Sequence, residues 1–350
     1  MLYWIRQVLL YDILRKKFAT PLGLIFLTSA SLLIAVFCAK VSLTLGVAFF
    51  ALICSIAFIV LVLLSPKFGL FTALIIPFAL FSVERYTGID LPFGAAIQAI
   101  LFLTAVSILF RKLVKKEFDF QFLRSSSSIA LAVVLIYILL QGLNPNVNNL
   151  DGWLYTLRGM LSLFCGYFIG AYYGSDRRFL NQFIFFWLTL CAIAALYACY
   201  QEWFGLANFE INWINADRLR FNRIFVQCKY RIFSLLSDPA AFGMLMASSS
   251  LLAMILVLRS QKLMHRLFFI AVSILMITAM GYSGTRTAYA MLSAGLILFA
   301  LMTITNPRTL IISAIGAMAF GFVLFGPIYG NATINRIRST FDTEDQSLNI

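Results

Sequence analysis

Apolar residues run along this chain in long blocks separated by short polar breaks. Neither the alternation of a half-buried strand nor the single stripe of a surface helix describes them. A helix crosses a bilayer with about 20 mainly apolar residues. Blocks of this kind fall at residues 21–39, 43–64, 68–83, 92–110, 127–142, 159–174, 179–202, 239–258, 267–283, 287–304 and 309–328. The pattern predicts an all-α fold, a polytopic transmembrane helical bundle of about 11 spans. The blocks at 68–83, 127–142 and 159–174 are short, which leaves a tilted or re-entrant course open for them.

The breaks divide the chain into parts. Residues 1–18, MLYWIRQVLLYDILRKKF, place apolar side chains at helical spacing and end on Arg15, Lys16 and Lys17. Residues 1–20 therefore read as a helix on the cytoplasmic membrane surface, its cations facing anionic headgroups, or as an ordinary solvated terminus. The opening residues are not expected to act as a cleavable signal peptide. Residues 21–202 form an N-terminal transmembrane bundle, 203–238 a basic and aromatic loop, 239–328 the C-terminal spans and 329–350 a final loop. With the N-terminus cytoplasmic, inner segments hold 16 of the 27 Lys and Arg residues and outer segments hold 11, among them Arg85. The short inner loops carry the bias, as the positive-inside rule requires. Residues 203–238 hold five of the outer cations, and a long loop crosses the membrane largely regardless of charge.

Composition agrees with this division. Hydrophobic residues make up 62% and charged residues 12% of the 350, against about 25% charged in a soluble domain. The formal net charge is +13, but the cations sit in breaks between apolar blocks and no nucleic-acid-binding motif accompanies them, so no nucleic acid is implied. Most of the six cysteines lie inside apolar blocks, without a CxxC pair, and read as packing residues. No Asp, Glu, Lys, Arg or His falls in the middle of a block, which argues against an ion-driven pump. The one histidine, His265, lies in an inner loop, so the spans hold no His-based haem or metal site. No metal and no cofactor are predicted.

Ionisable residues gather instead on the outer side. Arg218, Arg220, Arg223 and Arg231 stand among Trp203, Phe209, Trp213, Phe221 and Tyr230. Aromatics settle at the membrane interface and arginine grips phosphate through two parallel hydrogen bonds. The segment reads either as a clamp on a lipid-linked phosphate or pyrophosphate, or as general attraction to anionic membrane lipids. Asp238-Pro239 has the form of an N-cap followed by proline at the first helical position. Arg286 lies in the turn Gly281-Tyr282-Ser283-Gly284-Thr285-Arg286-Thr287, whose small residues let a ligand approach the backbone. Arg158 follows the polar Asn144-Pro145-Asn146 break at the start of the block at 159–174. Arg336 and Arg338 stand in the C-terminal segment ahead of Asp342, Glu344 and Asp345. Each of these also reads as an interface anchor or a solvated charge.

An arginine a few residues before Asp-Pro, a Ser-Gly-Thr-Arg turn two spans later, and Asn335-x-Ile337-x-Ser339 followed by Asp345-Gln346-Ser347 stand in one order. In these motifs, over about residues 130–350, the chain resembles the O-antigen ligase and polymerase superfamily. The resemblance implies an enzyme of the bacterial inner membrane that moves a glycan from undecaprenyl pyrophosphate to a lipid or glycan acceptor at the outer face. It implies that Arg231 and Arg286 are catalytic, binding the pyrophosphate and stabilising its charge as it leaves. Arg158, Arg218, Arg220, Arg223, Arg336, Arg338 and Asp238 would then bind substrate. The chain departs from the family in two ways. A ligase carries a histidine in its last large outer loop, whereas His265 is on the inner side. The chain also stops at Ile350, inside that loop, as a truncated chain or a polymerase-like member would. The acceptor-activating base is open among Asp238, Asp342 and Asp345. The rival readings are a transporter or flippase of lipid-linked sugar, which needs cations along a path through the spans, and a non-catalytic scaffold, which would tolerate loss of both arginines.

Overall fold

Long apolar blocks with few Gly or Pro interruptions become helices because lipid offers no partner for a free backbone N–H or C=O. The computed structural model describes residues 43–88, 93–114, 125–144, 150–226 and 229–302, and six helical positions from Pro21 to Ala35. The expectations for residues 1–20, 309–328 and 329–350 lie outside the described residues. The described elements are α1 (Leu43–Leu64), α2 (Pro66–Thr87), α3 (Phe93–Val114), α4 (Ser126–Gln141), α5 (Leu150–Tyr173), α6 (Arg177–Phe204), α7 (Asn208–Asn215), α8 (Arg218–Ile224), β1 (Phe225–Val226), β2 (Lys229–Tyr230), α9 (Pro239–Arg259), α10 (Leu263–Ser283) and α11 (Arg286–Met302). The described residues are thus almost wholly helical. Six stretches are long and apolar enough to cross a membrane: Pro66–Thr87, Gly94–Val114, Leu150–Tyr173, Arg177–Phe204, Pro239–Arg259 and Leu263–Ser283. The apolar stretches Phe49–Leu64, Ser126–Gln141 and Arg286–Met302 are shorter.

Local chemistry fixes several helix ends. Asp238 caps α9: its Oδ1 accepts from the N–H of Ala240 at 2.8 Å and of Ala241 at 2.9 Å, with Pro239 in the first turn. This is the cap that the Asp-Pro pair predicts. Ser125 caps α4 by accepting from the Ser128 N–H at 3.3 Å. Gly284, at φ 57°, ends α10 in the left-handed conformation that glycine adopts without steric cost.

The described residues form two compact units. The first contains residues 1–74 and 94–180, the second residues 75–93 and 181–350, so α2 contributes to both. In the first unit, α4 and α5 close on each other at Gly142. A side chain there would meet the Trp153 ring at 2.5 Å, and Trp153 Nε1 donates to the Ile138 carbonyl at 2.8 Å. At the end of α1, Ser107 of α3 donates to the Leu63 carbonyl at 2.9 Å and Arg111 of α3 donates to the Leu64 carbonyl. These are carbonyls that a helix C-terminus leaves without intrahelical partners.

Among the described residues, the second unit has two apolar clusters. The larger one buries Leu188, Cys191, Ala194 and Ala198 of α6, Phe242 and Met246 of α9, Met276 and Ala279 of α10, and Tyr289 of α11. Its many small residues allow close helix approach, the usual source of cohesion between helices in lipid. The smaller cluster is Ile214, Ile224 and Phe233, with Trp213, Phe221 and Tyr230 packed on it.

Two expectations change. Residues 203–238 are not one loop: they fold into α7, α8 and an antiparallel β1–β2 pairing of Phe225 with Tyr230 and Val226 with Lys229. The elements are too short for a periodicity to show, and burying Ile214, Ile224 and Phe233 together holds them. The block expected at 159–174 is a helix from Leu150, so Arg158 lies inside α5 and not at its start. Asp151 in the first turn favours that earlier start, as an anion does near a helix N-terminus. The indole of Trp153 then packs the added turns against α4.

Candidate functional site

The segment Arg231–Asp238 joins the hairpin to α9, and its side chains reach elements far along the chain. Arg231 Nε donates to the Ser283 carbonyl at 3.0 Å. Its Nη2 donates to Thr285 Oγ1 at 2.9 Å and, at a longer 3.5 Å, to the Gly284 carbonyl. Its Nη1 donates to the Arg223 carbonyl at 3.3 Å. Thr285 Oγ1 in turn donates to the Pro239 carbonyl at 2.9 Å. Gly243 of α9 lies against the same turn, where an added Cβ would stand 2.5 Å from Ser283 Oγ and 2.9 Å from Thr285 Cβ. The Ser283-Gly284-Thr285 turn is therefore held by Arg231 from one element and by the start of α9 from another. Arg286 follows that turn as the first residue of α11, and it is half-buried.

Behind this segment lies a buried polar ring. Arg85, in the last turn of α2, is 4% exposed. Its Nη1 donates to the Ser234 carbonyl at 2.5 Å and stands 3.9 Å from Glu210 Oε1, both side chains of the ion pair being fully enclosed. Glu210 Oε1 accepts from Gln201 Nε2 at 2.7 Å and from the Tyr197 hydroxyl at 3.1 Å, while Oε2 accepts from the Ala207 N–H at 3.0 Å. Gln201 Oε1 accepts from the Ser234 N–H at 2.9 Å, closing the ring. Ser234 Oγ donates to the Ala194 carbonyl at 2.5 Å. Ser234 has φ 51°, the one positive φ outside glycine among the described residues. The guanidinium carbon of Arg85 lies 4.4 Å from the Phe233 ring centroid and 5.1 Å from that of Trp213. Arg85 Nε and Nη2 and Trp213 Nε1 are buried without a hydrogen-bond acceptor.

The other residues singled out from sequence have separate surroundings. Arg220 is half-buried; its Nη1 donates to the Trp213 carbonyl at 2.7 Å and its guanidinium carbon sits 3.9 Å from the centre of the Trp213 ring. Arg218 and Arg223 are exposed on α8, and Arg223 offers its carbonyl to Arg231. Asp238 uses Oδ1 in the cap and accepts from Ser237 Oγ with Oδ2 at 3.0 Å. Arg158 is exposed on α5 in the first unit, 5.3 Å from the Tyr155 ring centre. Arg336 and Arg338 lie outside the described residues, as do Asp342 and Asp345. Arg231 is thus brought to the Arg286 turn across 52 to 54 residues of chain.

The sequence reading missed Arg85, Gln201, Glu210 and Ser234 as a set. One signal was available: Glu210 is the sole charged residue between Glu202 and Asp217, in a stretch rich in Trp, Phe and Ile. A carboxylate so placed needs a cation when buried, but nothing in the sequence said which. Among the described residues no group of three or more His, Cys, Asp and Glu side chains converges to hold a metal ion. No family model matches this chain, and neither does any curated protein or solved structure.

Proposed function

We propose that this chain transfers a glycan from undecaprenyl pyrophosphate to an acceptor at the outer face of the bacterial inner membrane, as an O-antigen ligase or a polysaccharide polymerase does. The reading includes about eleven spans with the N-terminus inside, which puts residues 203–238 and the turn before Arg286 on the outer side. One observation carries it: Arg231 is hydrogen-bonded to the turn from which Arg286 starts. Two cations remote in sequence thereby share one corner of the second unit, where a diphosphate needs positive charge from more than one direction.

In this reading the acceptor hydroxyl attacks the anomeric carbon of the donor sugar. The new C–O bond forms as the bond to the pyrophosphate oxygen breaks, the electron pair stays on the diphosphate, and the hydroxyl proton passes to that departing diphosphate or to solvent. Arg231 and Arg286 stabilise the charge that develops there. Arg223, Ser283, Gly284 and Thr285 offer Arg231 neutral carbonyls and a hydroxyl, and bonds to a charged phosphate oxygen are roughly twice as strong. A diphosphate thus competes for the guanidinium. Arg218, Arg220 and Arg223 supply further positive charge from α8. Asp238, with Oδ1 committed to the α9 cap, holds the end of the Arg231 segment.

The test replaces Arg231 and Arg286 by alanine one at a time, confirms membrane levels, and measures surface polysaccharide. Loss of polysaccharide in each supports the transfer reading; full activity in both ends it. Lysine at 231 keeps the charge without the planar fork and is expected to restore little.

A further inference from the structure

We infer that Arg85 is a positioning residue for Arg231 and Asp238, acting through the carbonyl of Ser234; the inference rests on the transfer reading and adds a component that the arginine pair alone does not supply. Ser234 is the fourth of the eight residues from Arg231 to Asp238, and all three of its polar groups are tied to other elements. Its C=O accepts from Arg85 of α2, its N–H donates to Gln201 of α6, and its Oγ donates to Ala194 of α6. To one side, Arg231 grips the turn before Arg286; to the other, Asp238 starts α9. The anchor therefore sits between the two residues whose separation decides the shape of the site.

Two physical features argue for positioning over simple adhesion. Ser234 holds a left-handed φ of 51°, a conformation that L side chains adopt at a cost and that persists only where the surroundings over-determine it. The ring around it is also an expensive way to gain stability. A buried ion pair gives a fold little over well-packed apolar residues, because desolvation offsets the attraction. Arg85 further leaves Nε and Nη2 without acceptors. What the ring provides, and apolar packing would not, is direction. Arg85, Ser234, Gln201 and Glu210 form a closed circuit in which each polar group fixes the orientation of the next. In a ring of this kind one backbone conformation satisfies every member.

The experiment uses the full chain in lipid nanodiscs and compares the parent with Arg85→Lys and with the charge-neutral pair Arg85→Met/Glu210→Gln. Methionine keeps length over Phe233 and Trp213, and glutamine still accepts from Gln201, so the pair is expected to fold and melt within a few degrees of the parent. Two readouts are taken: hydrogen exchange at the Ser234 amide, and binding of undecaprenyl pyrophosphate itself. The neutral pair is expected to exchange that amide at least tenfold faster and to bind at least tenfold more weakly. Arg85→Lys, which keeps a cation and one donor, is expected to bring both within about threefold of the parent. Unchanged exchange or unchanged binding in the neutral pair, in a preparation where Arg231→Ala abolishes binding, overturns the positioning role. If the neutral pair does not accumulate, Gln201→Met cuts the same ring at the Ser234 N–H, carries the same expectation, and overturns the role if it binds and exchanges as the parent does. Binding retained by Arg231→Ala overturns the transfer reading, and this inference falls with it.

Discussion

The end of α1 in the first unit and the Ser234 corner of the second each use an arginine near a helix end, and they use it differently. Arg111 donates to the carbonyl of Leu64, the last residue of α1. Any helix leaves such carbonyls open and any nearby donor can close them. Arg85 donates to a carbonyl outside any helix, in a residue with positive φ, and meets a carboxylate as well. The first contact finishes a regular element. The second defines an irregular one. Buried polarity in lipid-soluble chains thus falls into two kinds: repair of helix ends, which is interchangeable, and specification of loops, which is not. The candidate site lies beside the second kind.

Four predictions press on this contrast, from the largest effect to the smallest. Glu210→Ala leaves Arg85 a buried cation without its carboxylate, and breaking such a pair costs about 3–5 kcal/mol. Thermal melting in detergent is expected to show a large loss for this variant and little for Arg85→Met/Glu210→Gln. Equal losses in the two would mean that the charges themselves matter less than the packing. Asp238→Ala removes the α9 cap and is expected to cost about 1 kcal/mol, with Asp238→Asn largely restoring it. If asparagine restores stability but polysaccharide synthesis stays low, the carboxylate has a role beyond the cap. Arg111→Met removes one hydrogen bond at the end of α1, for about 1 kcal/mol, and is expected to leave polysaccharide synthesis unchanged. A loss of synthesis there would erase the distinction between the two corners. The smallest effect is expected for Ser234→Gly. Relief of the left-handed strain, about 1–2 kcal/mol, nearly offsets the lost bond from Oγ to Ala194 and the added freedom of the unfolded chain. Its melting temperature is therefore expected within a few degrees of the parent, and a large drop would show that the Oγ bond dominates the anchor.

Legibility from sequence tracked the range of the interaction. The Asp238-Pro239 cap was readable because a cap joins a side chain to N–H groups two and three residues on. The left-handed turn at Gly284 fits the small residues seen around it. The start of α5 was misplaced because Asp151, Gly152 and Arg158 dilute its hydropathy, while the Trp153 packing that extends it comes from α4. The fold of residues 203–238 was hidden for a similar reason. α8 has seven residues and each strand two, too few for a period to declare itself.

The sequence by itself determined that the chain is a helical membrane protein, because lipid leaves a long apolar segment no other way to satisfy its backbone. It also placed Arg218, Arg220, Arg223 and Arg231 between those segments, whereas Arg158 proved to lie inside α5. Only the tertiary structure decided that Arg231 holds the Arg286 turn and that Arg85 meets Ser234 and Glu210, across 149 and 125 residues of chain. Spacing along a sequence carries no information about such pairs: their partners are chosen by how the helices pack, and packing between helices in lipid depends on shape and small residues, which a hydropathy pattern does not record.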